Sequence, residues 1–468
     1  MNKLVSSIRE AILNSGLKDG MTVSFHHHLR NGDRVLNMVM DEIAALGIRN
    51  LTLNASSLFD VHAPLKEHIR NGVVTTILTD YMSAELGSFI SAGGMENPVQ
   101  FRTHGGRPAD IENGRTPIDV AFIAAPACDP MGNCTGKFGK SACGSLGYAI
   151  PDAKCAAYVV AITDELQPYP LCDWSIPETD VDAVVTVDSI GDPKGIVSGT
   201  TKITRDPVGL SMALTAVDVI RASGLLKEGF SFQTGAGGAS LAAAKFLKDV
   251  MLKEKIRGSF GLGGITGYLV DMLNEGCFDA LMDVQCFDLK AVESIRSNPK
   301  HCEISATHYA SPGAKSAVVD SLDVVILGAT QIDTGFNINV HTDSNGCIMG
   351  GSGGHSDTAA GAKLSMIIAP LSRARLPIVT DRVTCISTPG STIDVLVTQK
   401  GVAVNPNNPE LALRLKDAGV RVRDIFELKE LAERTSGVPD KPRLSDRIVA
   451  DVIYRDGTVI DRIRGVQV

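Results

Sequence analysis

The chain repeats one pattern of short segments at a nearly constant offset, which indicates that its two halves derive from one duplicated unit. The offset runs from 204 residues, between Asp129 and Asp333, to 209 residues, between Ala153 and Ala362. Three further pairs of segments match: 15–17 with 223–225, 48–49 with 256–257, and 118–120 with 322–324. Because binding sites often lie where domains meet, we expect the functional residues between the two copies.

Short apolar runs alternate with helical stretches along both copies. Runs such as residues 120–124, 157–162 and 324–327 are apolar without alternation, which is typical of strands in a sheet covered on both faces. Helical stretches between them, such as residues 35–46 and 241–252, indicate crossover connections. The pattern predicts an α/β fold with two duplicated open α/β domains.

The repeat ends near residue 405, and the remainder of the chain has a different character. We predict domains at residues 1–205 and 206–405 and a C-terminal extension over residues 406–468. In the extension, a helical segment is expected over residues 409–434. A β-hairpin is expected over residues 449–464, turning at Asp456-Gly457.

Composition excludes several classes of function. A net charge of −8 argues against nucleic acid as a partner. The ten cysteines form no C-x-x-C pair, the first residues lack the apolar core of a signal peptide, and no apolar run could span a bilayer. We therefore expect a cytoplasmic protein with reduced cysteines, no disulfide framework and no membrane association.

Three glycine-rich loops in the second copy are candidate ligand loops. They span residues 234–238, 260–267 and 349–357. Glycine lets backbone N–H groups approach an anion, so the three loops together suggest a backbone-lined cleft for a phosphate- or acyl-bearing ligand. The alternative for each loop is a tight turn within an α/β unit, and the spacing does not fit the Rossmann fingerprint.

The first copy carries polar loops instead. His26-His27-His28 with Arg30 take the place of the first glycine loop, and residues 101–107 combine two arginines and a histidine with glycines. Guanidinium groups bind carboxylates through paired hydrogen bonds, so an anionic substrate is expected here. Adjacent histidines point in alternate directions and no H-E-x-x-H motif occurs, so we predict no catalytic metal. A polar loop without a role is the alternative.

Several segments resemble those of one known family. They are residues 23–33, 129–133, 232–238, 286–292, 305–312 and 350–357. On these segments the chain resembles the CoA-transferase superfamily and, within it, the citrate lyase alpha-chain family, over essentially its whole length. The resemblance implies two open α/β domains of CoA-transferase type that face each other across a thioester site.

The resemblance also implies a reaction and partners. Acetyl on the CoA-like prosthetic group of an acyl carrier protein (ACP) is exchanged for citryl, acetate leaves, and a beta subunit cleaves citryl-ACP. Acetyl-CoA can replace acetyl-ACP. Implied partners are the beta subunit, the gamma (acyl carrier) subunit and citrate, in an oligomer with no tightly bound cofactor.

One departure from the wider superfamily concerns the nucleophile. Many of its members use a glutamate after the second-copy glycine loop, whereas the matching stretch here, residues 255–261, contains none. Glu254 lies just before it, and Glu112 belongs to a Glu-Asn-Gly triplet in the first copy. The absence agrees with transfer that lacks a glutamyl-enzyme intermediate.

The resemblance and the loops together give three sets of candidate site residues. The oxyanion-stabilising set is Gly235, Ala236, Gly237, Gly238, Gly263 and Gly264. The citrate-binding set is Arg30, His28, Arg102 and His104. The set facing the acyl carrier or CoA is Gly350, Gly351, Gly353, Gly354 and His355.

Alternatives remain open on the sequence alone. The chain could be a CoA-transferase or acyl-CoA hydrolase for another small acid, with citramalate the closest rival. A ligand-sensing module is opposed by the lack of a helix-turn-helix, and a nicotinamide oxidoreductase by the poor dinucleotide fingerprint.

Overall fold

A computed structural model describes residues 3–197 and 202–467. The first half has a predominantly parallel sheet flanked by helices, and a separate two-stranded antiparallel sheet. Its strands are β1 Leu4–Val5, β2 Thr22–Phe25, β3 Leu51–Ala55, β4 Val74–Thr79, β5 Val99–Phe101, β6 Val120–Ala125, β7 Ala127–Cys128, β8 Cys134–Thr135, β9 Tyr158–Thr163 and β10 Ala183–Thr186. Its helices are α1 Ile8–Ser15, α2 Val35–Ala45, α3 Leu65–Arg70, α4 Ala84–Ser91, α5 Gly106–Glu112 and α6 Ala149–Cys155.

The second half has one large, predominantly parallel sheet and two small separate sheets. Its strands are β11 Ser231–Thr234, β12 Gly258–Ile265, β13 Phe278–Cys286, β14 His301–Glu303, β15 Val324–Leu327, β16 Gln331–Asp333, β17 Ile338–Asn339, β18 Leu364–Ile368, β19 Ser372–Arg373, β20 Leu376–Pro377, β21 Val379–Thr380, β22 Val395–Thr398 and β23 Gly401–Val404. Its helices are α7 Pro207–Ser223, α8 Gly238–Glu254, α9 Gly267–Asn274, α10 Leu289–Ser297, α11 Ala306–Ala310 and α12 His355–Gly361.

The two sheets share one strand order. In the first half it is β10-β9-β6-β2-β3-β4-β5, and in the second it is β22-β18-β15-β11-β12-β13-β14. Matched side chains make matched contacts: the Asp119 carboxylate accepts the N–H of Thr22 at 2.7 Å, and the Asp323 carboxylate accepts the N–H of Ser231 at 2.9 Å. The predicted duplication and α/β class are therefore confirmed, whereas the limits at 205 and 405 stay predictions.

The C-terminal extension contacts both halves. It consists of α13 Pro409–Asp417, α14 Ile425–Ser436, β24 Leu444–Ile453 and β25 Val459–Val466. The single predicted helical segment is two helices, because Gly419 with φ +79° follows the end of α13. The predicted hairpin is present, begins five residues earlier than expected, and adds to the first sheet through parallel pairing of β24 with β5.

Apolar side chains of the strands and the inner helix faces form the cores. The central strand β6 is buried along its whole length, as its unbroken apolar run predicts. Among the described residues, no helix combines the length and apolar character needed to cross a bilayer.

Candidate active site

The polar loop after β2 meets the carboxyl end of β13 from the other half. The His27 ring nitrogen Nε2 lies 2.9 Å from Oε1 of Gln285, and the Gln285 side-chain amide donates to the His27 carbonyl at 3.1 Å. Because both ends of the Gln285 amide contact His27, the orientation of the glutamine is fixed. Strand-end residues of both copies therefore meet here, where the duplication predicts the site.

The three adjacent histidines form an internal hydrogen-bond network. His26 Nε2 accepts the Ala124 N–H at 2.9 Å, so the neutral ring carries its proton on Nδ1 and donates it to His28 Nδ1 at 2.6 Å. Because His28 Nδ1 accepts, the neutral His28 ring carries its proton on Nε2, and the ring hydrogen bonds to the backbone of Val284. The Tyr148 backbone nitrogen lies 3.3 Å from Nε2, and the His28 side chain is fully buried. Both nitrogens of His28 thus contact protein atoms, which leaves neither for a substrate carboxylate.

Burial keeps these rings neutral. It lowers the pKa of His26 to about 4 and the pKa values of His27 and His28 well below 6.5. Desolvation of the charged form is the main cause for all three, and repulsion from His104, His28, Arg30 and His26 adds to it for His27. The histidine loop is therefore an ordered wall of the site rather than a cationic surface.

The lowered pKa of His26 predicts acid sensitivity. The unfolded chain protonates His26 more readily than the folded chain does, so acid favours unfolding. The free energy of unfolding keeps its full value above pH 6.5 and falls by about 3 kcal/mol as pH falls towards 4. Asp357 acts in the opposite direction, since burial raises its pKa to about 6.

We expect His26→Gln to flatten the fall of the thermal midpoint between pH 7 and 5. His308→Gln, which changes an exposed histidine, should follow the wild type, and equal slopes for all three proteins would contradict the assignment.

His104 stands beside this wall with a fixed orientation. Its Nδ1 lies 2.9 Å from the Asp80 carboxylate, and its ring packs against Tyr148 with centroids 4.4 Å apart. Burial raises the pKa of Asp80, and hydrogen bonding to His104 opposes that rise. His104 Nε2 points towards the second half, since a Cβ on Gly353 would lie 3.2 Å from it. An Asp–His pair at a cleft can orient a carboxylate or move a proton.

Arg30 is a partly buried cation with one hydrogen-bond donor that lacks a partner among the described residues. Its guanidinium lies between the rings of Phe59 at 5.2 Å and Phe287 at 4.9 Å, one ring from each half. Its Nη1 is buried and has no hydrogen-bond partner among the described residues. Because a buried donor without a partner costs free energy, this geometry fits a site whose missing partner is an anion.

Arg102, also predicted to bind citrate, is engaged within the first half. Its Nη1 pairs with the Asp110 carboxylate, and its Nη2 donates to Gln100 at 2.9 Å. Burial lowers its pKa to about 10, so it stays charged. The structure therefore brings Arg30 and His104 to the junction of the two halves. Arg102 is paired within the first half through Nη1 and Nη2, and its buried Nε has no hydrogen-bond partner among the described residues.

The first two glycine loops differ in what their glycines do. The Gly235 N–H donates to the Ile326 carbonyl at 2.9 Å, and Gly237 and Gly238 begin α8. Gly263 and Gly264 lie inside β12, where a Cβ on Gly263 would sit 2.7 Å from the Gln233 amide and one on Gly264 would overlap the Phe287 ring. These two glycines make room for Gln233 and for the ring that covers Arg30.

The third glycine loop joins the halves through its backbone. The Gly353 N–H donates to the Asp80 carbonyl at 3.1 Å, and the His104 N–H donates to the Gly353 carbonyl at 2.9 Å. The Gly350 carbonyl accepts the Met82 N–H at 3.2 Å, and a Cβ on Gly351 would overlap the Asp80 carbonyl. The loop therefore positions Asp80 and His104.

The residues that follow complete this junction. His355 is held by the Gly328 carbonyl and Thr388, and burial lowers its pKa to about 4. Tyr309 packs against Gly354, because a Cβ on Gly354 would lie 3.2 Å from the Tyr309 ring. The Tyr309 hydroxyl accepts a hydrogen bond from the Gln233 side-chain amide at 2.9 Å.

Sequence reasoning missed several site residues. They are Phe59, Asp80, Tyr148, Gln233, Gln285, Phe287 and Tyr309. Gln285 and Phe287 adjoin or lie in the segment 286–292 that carries the resemblance, which was the available signal. Asp80 and Tyr148 stand in segments with no motif, so only the fold brings them to His104.

Comparison with known proteins gives one family. A family model described as Citrate lyase, alpha subunit (CitF) matches residues 1–466. The citrate lyase alpha chain of Escherichia coli (strain K12) is 52% identical over 465 residues, which are 99% of this chain and 91% of that relative. The alpha chain of Klebsiella pneumoniae is 51% identical, again over 99% of this chain and 92% of the relative.

The chain belongs to the citrate lyase alpha subunit family.

Solved structures agree with this membership. The citrate lyase alpha subunit from Streptococcus mutans, solved in complex with citrate, has a TM-score of 0.98 and 50% identity, covering 100% of this chain and 92% of that one. A malonate decarboxylase alpha subunit from Acinetobacter baumannii shares the fold with a TM-score of 0.67 at 15% identity, covering 94% of this chain and 93% of that one. The predicted family, the enzyme class and the fold are confirmed: this citrate lyase alpha-family chain is the transferase subunit of a multisubunit enzyme.

The two glutamates considered as nucleophiles lie at the surface of this citrate lyase alpha-family chain. Glu254 ends α8 and pairs with Arg221 at 2.6 Å, and the Glu112 carboxylate accepts from Thr307 at 2.6 Å. Neither contacts Arg30 or His104.

Proposed function

We propose that this chain converts the acetyl thioester of an acyl carrier and citrate into the citryl thioester of that carrier and free acetate. The observation that carries the proposal is Arg30, a partly buried cation whose buried Nη1 atom has no partner among the described residues and lies at the junction of the two halves. The relative solved with citrate supports citrate as the anion that completes this donor.

The proposed reaction proceeds in two acyl transfers without a covalent enzyme intermediate. A citrate carboxylate attacks the acetyl thioester, the C–S bond breaks, and a mixed anhydride and a thiolate form. The thiolate then attacks the citryl carbonyl of the anhydride, and acetate leaves with the bridging oxygen. No proton is consumed, so the protein contributes mainly proximity and stabilisation of the two tetrahedral oxyanions.

Geometry suggests a division of roles. Arg30 and His104 are proposed to hold citrate carboxylates, because both present polar atoms at the junction. Backbone N–H groups at the start of α8, from Ala236 to Gly238, are proposed as oxyanion donors. Gly235 is removed from that set because its N–H already donates to Ile326.

The other candidates take supporting roles. We propose that His28 and Arg102 hold the wall of the site through their internal contacts. The loop from Gly350 to Gly354 is proposed to form the floor on which the acyl-carrier arm lies.

We further propose an acyl carrier (gamma) subunit and a beta subunit as partners in an oligomer, with no tightly bound cofactor. All ten cysteines are free thiols, which supports a cytoplasmic, reducing location. Citramalate remains the second candidate acceptor, since it presents a similar carboxylate arrangement.

The test mixes the purified chain with acetyl-CoA and citrate and follows citryl-CoA and acetate by mass spectrometry. Equimolar citryl-CoA and acetate are expected. Free CoA and acetate without citryl-CoA would indicate a hydrolase, and faster turnover with citramalate would reassign the acceptor. If neither acid reacts with acetyl-CoA or with acetylated carrier subunit, the proposal is wrong.

The intact mass of the protein tests the absence of a covalent intermediate. After incubation with acetyl-CoA alone, we expect no mass increase corresponding to bound CoA. A CoA adduct on a glutamate, located by peptide mapping, would overturn the direct mechanism while leaving the transferase function in place.

A further inference from the structure

Three side chains that commonly bind metals converge beside the cleft. Asp283 and Cys286 lie on β13, and His301 begins the neighbouring strand β14. The Asp283 Oδ2 atom is 3.0 Å from both Cys286 Sγ and His301 Nε2, and the ligand atoms of all three lie within 4.8 Å of one another. They form one compact cluster of oxygen, sulfur and nitrogen donors.

The cluster is buried and incompletely satisfied. The side chains of Asp283 and His301 are both 0% exposed, and Cys286 is fully buried. The second carboxylate oxygen of Asp283, Oδ1, is buried and has no hydrogen-bond partner among the described residues. Buried carboxylate oxygens normally have partners, so Oδ1 is an acceptor that lacks one.

We propose that Asp283, Cys286 and His301 bind a zinc ion. Thiolate, imidazole and carboxylate are the ligands Zn²⁺ takes in proteins. One thiolate and one carboxylate balance the charge of a divalent ion and leave the buried site neutral, as burial requires. The two Asp283 oxygens with Sγ and Nε2 supply four donor atoms, and Oδ1 gains the partner it lacks.

The surroundings of His301 and Cys286 fit this assignment. His301 Nδ1 lies 2.9 Å from the Ser294 hydroxyl, and a partner on the second ring nitrogen is what orients a zinc-binding histidine. Zinc binding forms Zn–S, Zn–N and Zn–O bonds and releases the thiol proton of Cys286 to solvent. Because the site is closed to solvent, the ion enters as the chain folds.

The ion would stabilise one part of the junction. Between and beside the zinc ligands on β13 lie Gln285, which contacts His27, and Phe287, which stacks on Arg30. Gly144 of the first half, at φ +87°, packs so closely that a Cβ there would overlap Cys286 Sγ. We therefore assign the ion a structural role at the carboxyl end of β13, independent of the proposed transfer reaction.

The test measures metal directly on the full chain without a histidine tag. After refolding in the presence of zinc and gel filtration, we expect about one zinc per chain by elemental mass spectrometry. Cys286→Ala and His301→Ala should lose nearly all of it. Cys277→Ala is the matched control, a buried cysteine of the same half outside the cluster, and should keep it.

Cobalt replacement keeps the proposal testable if the variants fail to fold. The wild-type chain refolded with Co²⁺ is expected to show a thiolate-to-cobalt charge-transfer band together with the d–d bands of a four-coordinate site. A wild-type chain that holds less than about a tenth of a zinc and shows no such band would overturn the proposal. So would full zinc retention by Cys286→Ala, or equal loss by Cys277→Ala.

Discussion

Replacing Arg30 by alanine is expected to lower kcat/KM for citrate by roughly 30-fold to several thousand-fold, mostly through a higher KM. Removing one partner of a buried, hydrogen-bonded charge pair costs about 2–5 kcal/mol. In the free protein the Arg30 Nη1 has no partner among the described residues, so the loss falls on the complex with the anion. Steady-state kinetics at varied citrate and fixed acetyl-CoA measure it.

Two further variants separate charge from geometry. Arg30→Lys keeps the positive charge but loses the planar fork between Phe59 and Phe287, so an intermediate effect is expected. Arg34→Ala removes an exposed arginine four residues along the chain and should behave as the wild type. Unchanged citrate kinetics in Arg30→Ala, with a normal fold by circular dichroism, would refute the role assigned to Arg30.

Replacing Gly351 by alanine is expected to reduce transfer about 100-fold while both halves stay folded. The new Cβ would overlap the Asp80 carbonyl and lie 2.6 Å from the Tyr81 Cα, so the loop must move away from the first half. That movement displaces Asp80 and His104 relative to the second half, and a misplacement of about 1 Å can cost about 100-fold in rate. Turnover of citrate and acetyl-CoA measures the loss of transfer, and the thermal midpoint measures whether both halves stay folded.

Gly328→Ala is the matched control for Gly351. A Cβ at Gly328 meets nothing within 4 Å among the described residues, and its φ is ordinary for an L-residue, so activity and stability should stay near those of the wild type. If Gly351→Ala transfers at the wild-type rate, the close backbone contact between the halves does not set the geometry of the reaction.

The sequence predicted most of the fold because, after a duplication, equivalent residues of the two copies make equivalent contacts. The spacing alone identifies Asp119 and Asp323 as equivalent positions of the two copies. Each accepts the N–H of the first residue of the strand beside it. The pairing of β24 with β5 was not predictable, because the two strands are more than 300 residues apart in the chain. Alternating polar and apolar residues indicate which face of a strand is buried, but not which strand it pairs with. The break between α13 and α14 was missed because the apolar periodicity continues across Gly419.

The site was predicted less completely, and for a physical reason. Sequence patterns identify residue types, such as Arg30 and the histidine triplet, but not which nitrogens remain open after folding. His28 and Arg102 both look like anion ligands in the sequence, yet the fold pairs them with His26 and Asp110. The zinc cluster has no recognisable spacing, since His301 reaches Asp283 only through the pairing of β13 with β14.

The position of the C-terminal hairpin has a consequence for synthesis. The edge strand β5 ends at Phe101, but its partner β24 begins only at Leu444. A ribosome must therefore add more than 340 residues before β5 acquires its partner, and an unpaired edge strand invites association with other chains. Nascent first halves are consequently the species on which chaperones should act, and truncation within the extension should yield insoluble protein although both duplicated units are intact.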